Sequence, residues 1–278
     1  MKASFSRFKS RLTTLDIDFS ISEEEILKDL DTEIGNDRLL ERFSVEEVMT
    51  ALSRYGVLQA LADRGFPEPK TTIRSIDPFR QTLKIFASID SLEDDEHLLC
   101  ELRVFDAHLK GPCPLTGKPF EVDALVIDWL NFQKPNGKFT PDKPRLPGQR
   151  YPGLGIMRIS MNAILDLAQQ IGKEAVINIP EYYHNAVLYR PAFHFFSAFV
   201  EGRFNALERF FSGQSLAYAS NSVAGQTVFN ESTNELFVWK PHEQILGLTP
   251  RISDYFASDL YKQKVREAET ASRFRFVD

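Results

Sequence analysis

Cysteine is nearly missing from this chain. Cys100 and Cys113 are the only two, so at most one disulfide could form, and they show no paired metal-ligand spacing. A reducing cytoplasm is the compartment this predicts. Excess positive charge is missing too. The 33 Lys and Arg stand against 39 Asp and Glu, a net charge of −6, so the molecule as a whole does not attract nucleic acid. No run reaches the roughly 20 apolar residues that span a bilayer. Residues 1–11 are mixed in polarity, without the apolar centre of a secretory signal. A soluble protein with no membrane partner is expected. Also lacking are a phosphate-loop run, the Gly-x-Gly-x-x-Gly of dinucleotide binders, a His-Glu-x-x-His element and a Gly-x-Ser-x-Gly elbow. His97, His108, His184, His194 and His242 are scattered, so no metal is expected.

The composition is otherwise that of an ordinary globular protein. The 278 residues are 43% apolar and 26% charged, enough for a sizeable core. The 23 Phe predict thick aromatic packing, or else a pocket for a large apolar group. Residues 1–20 read as an extended arm. Helical character starts near Ser22 and strengthens at Ser44, where Ser44-Val45-Glu46-Glu47 has the form of a capping box. Val48, Leu52, Val57 and Leu61 then share one helical face, which ends near Gly65. Alternating patterns predict strands over 82–89, 98–105 and 122–130, the last the most continuously apolar and hence central. A Pro/Lys/Arg/Gly-rich loop covers 133–149. A helix over 156–171, a buried strand over 175–179 and a helix opened by Pro180 through Tyr183 to Tyr189 come next. Beyond Pro191, Val200, Phe204, Leu207 and Phe211 fit one helix face, 235–239 reads as a strand, and 251–266 as a terminal helix. The fold class is α/β in the mixed α+β sense. It divides into an arm and helical segment (1–66), a core (67–196) and a C-terminal extension (197–278).

One local pattern carries chemistry. Arg150-Tyr151-Pro152-Gly153-Leu154-Gly155 precedes a predicted helix. The first amides of a helix have no partner within it and, with the helix dipole, favour a phosphate oxygen. Gly153 and Gly155 allow close approach of a ligand to the backbone, and Arg150 adds a charged fork. A tight connection without a ligand has the same sequence.

Arg150-x-x-Gly153-x-Gly155 resembles the Gln/Arg-x-x-Gly-x-Gly/Ala pattern of the GNAT superfamily of acyl-CoA acyltransferases. It stands between a strand and a helix, as it does there. His184-Asn185-Ala186-Val187-Leu188-Tyr189, followed by Phe193, loosely resembles that family's second helix. The likeness covers roughly 122–196, as in a divergent member with a central mixed sheet flanked by helices. It implies that Arg150, Tyr151, Gly153, Leu154, Gly155 and Ile156 hold the CoA pyrophosphate. Main-chain groups near Trp129, Leu130 and Asn131 would run beside the pantetheine, and Asn185 would add a polar contact. Tyr189 would protonate the departing thiolate. The co-substrate would be acetyl-CoA or another acyl-CoA.

An amine attacking a thioester must lose a proton, so a carboxylate is sought as base. Asp128, in an apolar strand, is the first candidate and Glu101 the second. Lys134, Lys138, Lys143 and Arg145 would close over the 3′-phosphate of CoA or over an acidic acceptor. Cys100 reads as a buried small hydrophobe, Cys113 as more accessible. His194, Phe195, Phe196 and Phe199 read as core or as an acyl tunnel. The expected activity is transfer of an acyl group from CoA to an amine. A non-catalytic CoA-binding module and an interaction protein with a purely structural turn are the alternatives.

Overall fold

The computed structural model describes residues 16–18, 38–75, 80–88 and 95–277; the helical character expected between Ser22 and residue 37 lies outside them. It shows a mixed α+β fold. The strands of its large sheet are β1 (Asp16–Asp18), β2 (Lys70–Ser75), β3 (Gln81–Phe86), β4 (Leu98–Pro112), β5 (Pro119–Phe132), β6 (Ala175–Asn178), β7 (His194–Phe195) and β10 (Gln244–Gly247). Their order is β2-β3-β4-β5-β6-β10-β7, with β1 on β4. A small sheet joins β11 (Phe274–Phe276), β8 (Val228–Asn230) and β9 (Glu235–Leu236). In the large sheet every pairing is antiparallel except β5 with β6.

The period of two decides which helices cover which face. Leu125, Ile127 and Val176 point into one buried cluster, Ala124, Val126 and Ile177 into another. On the first face lie α1 (Val45–Arg54), α2 (Val57–Ala62) and α3 (Met157–Gln170), contributing Val48, Leu52, Leu61 and Ile164. On the second lie α7 (Pro250–Ala257) and α8 (Asp259–Ala271), through Ile252, Phe256 and Tyr261. A third cluster joins α4 (Tyr183–Tyr189), α5 (Ala198–Phe210) and α6 (Leu216–Ala224) through Tyr183, Phe204 and Val223.

The expected capping box is present. Ser44 Oγ accepts from the Glu47 amide at 3.3 Å, and Glu47 Oε2 accepts from the Ser44 amide at 2.8 Å. The apolar face beyond it is broken at Gly56, whose φ of +75° lets α2 restart in a new direction. Several expectations need correction. The helix expected to open at Pro180 starts only at Tyr183. Trp239 is outside any strand, because β9 ends at Leu236. The terminal helix is two helices parted at Ser258, whose hydroxyl caps the second by accepting from the Tyr261 amide. Cys113 is buried, like Cys100. Phe195 and Phe196 are core, but Phe199 is 58% exposed.

α5 and α8 cross closely at Gly202, where an added Cβ would lie 2.3 Å from the Val265 carbonyl oxygen and 2.7 Å from Ala268 Cβ. Both obstacles belong to a packed helix and cannot swing aside. We expect Gly202→Val to cost about 2–3 kcal/mol of stability, seen as a lower urea midpoint; an unchanged midpoint would show that α8 is not seated there.

Candidate functional site

The glycine turn is rooted by alternation. Leu154 and Ile156 are buried at 4% and 2% exposure in the cluster under α1 to α3, while Gly153 and Gly155, which alternate with them, are exposed. Burying the two apolar side chains turns the glycine backbone outward. Gly155 has φ +68°, a conformation costly to any residue with a Cβ. The long loop closes onto the turn through the Lys134 amide, which donates to the Pro152 carbonyl at 2.7 Å.

α3 begins without a side-chain cap and without an acidic residue in its first turn, where Arg158 is exposed instead. Among the described residues, the amides of residues 153–159 donate to no protein acceptor. A basic residue at a helix N-terminus opposes the dipole, so an anion there would be favoured by both the open amides and Arg158. Arg150 is exposed, stacks on Tyr151 at 5.3 Å and meets Glu96 at 3.5 Å. A surface pair of that kind is weakly held.

Arg64 is a site residue that sequence reasoning misses. Its Nε donates to the Leu154 carbonyl at 2.6 Å and its Nη1 to the Ala60 carbonyl at 2.7 Å. Its Nη2 lies 3.9 Å from where a Gly155 Cβ would be. No local pattern reveals this, because ninety residues separate the partners. On the loop side of the turn lies a cleft of about 290 Å³ lined by Lys143, Gly153 and Ser215 among others. Lys134, Lys138 and Arg145 do not line it; the Arg145 side chain donates to the Gln149 carbonyl instead, at 2.7 Å.

Beside the turn, the parallel strands part. β5 and β6 pair from Ala124↔Ala175 to Ile127↔Asn178 and no further, while β5 continues along β4 to Phe132. The Gln133 amide donates to Leu99 O at 2.9 Å. Alternation therefore directs the main-chain groups of Leu130 and Phe132 away from β4, toward the widening gap. The Phe132 carbonyl oxygen is 3.6 Å from where a Gly153 Cβ would be. Trp129 and Asn131 have the opposite register, and the Trp129 side chain is 39% exposed with the Arg103 guanidinium 5.9 Å from its ring. Asp128 is a bulge: Arg103 opposes Trp129 and Val104 opposes Ile127, leaving Asp128 without an opposite residue.

Polar atoms without protein partners gather where the strands part. Asn178, last in β6 and only 3% exposed, has neither amide atom paired. Its cross-strand neighbour Gln244 and Asn185 on α4 each keep an unpartnered buried Oε1 or Oδ1. Each such atom costs about 1–3 kcal/mol if left dry. Sequence reasoning misses Asn178 and Gln244 as well; the one available signal is an Asn ending a four-residue buried strand.

Tyr189 lies four residues beyond Asn185 and so shares its helix stripe. It is buried against Phe193, ring centres 5.3 Å apart, and burial raises its phenol above the ordinary value. The hydroxyl is a neutral donor at physiological pH. Asp128 is paired with the buried Arg80 at 3.6 Å, and no hydrogen bond joins it to Tyr189 among the described residues. Glu101 is held by Arg103 at 2.7 and 3.1 Å. It lines a cleft of about 510 Å³ with Thr82 and Lys84, on the outer face of β2 to β4. Among the described residues no group of three or more His, Cys, Asp or Glu is placed to hold a metal ion. Comparison with protein-family models and with curated proteins returned no match.

α4 is oriented from behind by His184, whose Nδ1 lies 2.8 Å from the Ser220 hydroxyl of α6. Burial pushes this imidazole down to about 4 from its ordinary 6.5. The neutral ring stabilises the fold fully above about pH 6.5, and that contribution is lost as pH falls toward 4. We expect unfolding free energy to drop across this window. In His184→Gln, which keeps a polar partner for Ser220 but takes up no proton, the slope should be shallower. Identical slopes would place the acid sensitivity elsewhere.

Proposed function

We propose that this chain is an acyl-CoA-dependent N-acyltransferase that moves an acyl group directly from CoA to an amine. The observation that carries the reading is the row of amides at residues 153–159, open at the N-terminus of α3 and next to the parting of β5 and β6. The likeness of the turn and of α4 to the GNAT pattern supports it. In this reading the pyrophosphate sits on the turn, with Arg64, Arg150 and Arg158 supplying charge. The pantetheine amides exchange hydrogen bonds with the main chain of Leu130 and Phe132, and Asn178 and Asn185 meet its polar groups. The bulge at Asp128 frees main-chain donors for the thioester oxygen, whose negative charge grows as the amine attacks. Tyr189 then gives its proton to the leaving thiolate. Asp128 or Glu101, directly or through water, takes the proton from the amine. A reducing cytoplasm fits two free, buried thiols.

A second reading is a CoA-binding module without catalysis. The pairing of Asp128 with the buried Arg80 favours it, because a carboxylate engaged by a guanidinium is held there and is not free to meet an incoming amine.

Acetyl-CoA at about a hundred times its Kd should stabilise the fold by about 2.7 kcal/mol, seen as a rise in melting temperature. Gly153→Trp, which meets only ordinary contacts where its Cβ would stand, should remove the rise and leave the unliganded melting temperature in place. An equal rise in both proteins would discard the site. Free thiol released in the presence of a panel of amines separates the two readings. With transfer, Tyr189→Phe should slow release by about a hundredfold while CoA still binds; binding without release for any amine supports the module.

A further inference from the structure

Among the described residues, the first sheet face is not filled. A cavity of about 350 Å³ lies between α1, α3 and the sheet. Small residues line it from both helices, Ala51 on α1 and Ser160 and Ala163 on α3, and short side chains leave space that larger ones would fill. The floor is aliphatic, formed by Leu83, Ile85, Leu102 and Leu130. At one end stand Ile156 and Phe132, the residues that anchor the glycine turn and end β5. At the other, Arg54 and Asp166 pair at 3.7 Å near the surface. Ser160 Oγ is buried on the wall and has no partner.

The dimensions select the occupant. Ser160 and Gln170 both line the cavity, and ten residues of helix span about 15 Å at 1.5 Å per residue. A volume of about 350 Å³ spread evenly along that length has a cross-section about 5 Å wide, which suits one extended alkyl chain better than a ring system; the side bordered by Glu46, Glu47 and Thr50 opens to solvent. Its inner end abuts Leu130 and Phe132, whose main chain faces the parting of β5 and β6.

We propose that this cavity holds the alkyl tail of the acyl group, so that the donor is a medium- or long-chain acyl thioester rather than acetyl-CoA. The inference rests on the proposed CoA site for the position of the thioester, but the cavity itself can be tested separately.

The experiment is titration calorimetry of the full chain with CoA, acetyl-CoA, octanoyl-CoA and dodecanoyl-CoA, and with free decanoate. Affinity should rise about three- to fourfold per added methylene beyond acetyl, and decanoate should bind alone. Ala163→Phe and, on the facing helix, Ala51→Leu fill the space from opposite sides. Either variant that retains the wild-type circular dichroism should lose the chain-length gain and the decanoate binding, and keep the affinity for CoA. The proposal is overturned if CoA binds with no dependence on chain length, or if filled variants keep the whole gain. If no CoA compound binds, the functional reading fails on its own. Decanoate binding abolished by Ala163→Phe would then still support the alkyl site, and no decanoate binding would overturn it.

Discussion

β5 loses its parallel partner after Ile127 because β6 cannot continue beyond Asn178. Two residues on stands Pro180, which has no amide hydrogen to extend a ladder and holds the chain away from it. β5 cannot turn with its neighbour, since its other edge is paired along nearly its whole length with β4. One strand is therefore fixed while the other departs, and a wedge opens with main-chain groups on its fixed side. The glycine turn, α3 and α4 are all placed around this wedge. The turn is closed against the end of β5 by the Lys134 to Pro152 hydrogen bond, and α4 starts a few residues past the departing strand.

The parts legible in the sequence are those whose pattern is local and strong. β3, β4, β5, β6, α3 and the capping box at Ser44 can be read from periodicity and end signals. β2 escapes such a reading because only Ile73 in Lys70–Ser75 is buried, and an edge strand needs no second apolar residue. β10 escapes it for a different reason. Its four residues enter the large sheet between β6 and β7 from more than sixty positions downstream, and nothing nearby announces a long-range pairing. The site divides along the same line. The turn at Gly153 and Gly155 and the tyrosine of α4 can be named from the sequence. Arg64, Asn178, Gln244 and the bulge at Asp128 cannot, since each acquires its position only when separate segments meet.

The unpaired atoms of Asn178, Asn185 and Gln244 bear on function because they oppose stability. A protein interior pairs nearly all of its buried polar groups, and three side chains left dry in one region would be a local deficit of several kcal/mol. Aliphatic residues would have fitted that part of the sheet better. The deficit is carried by the surrounding apolar clusters, and it falls where the backbone ladder is also incomplete. Thr82, Ser160 and Thr249 also keep an unpaired buried oxygen among the described residues, but only Asn178, Asn185 and Gln244 stand near the end of the parallel pairing, where local rules are broken together.

Ile156 joins the glycine turn to the apolar channel. It is the residue before α3, so its position sets where the open amides point, and its side chain forms the wall of the apolar channel. An alkyl chain in the channel would pack against the same Ile156 side chain that roots the turn. A ligand with both a tail and a diphosphate would then bind more tightly than its parts predict, because ordering by one end is already in place for the other. Such coupling is reciprocal by linkage. An anion on the turn and a chain in the channel would be joined through the same buried isoleucine.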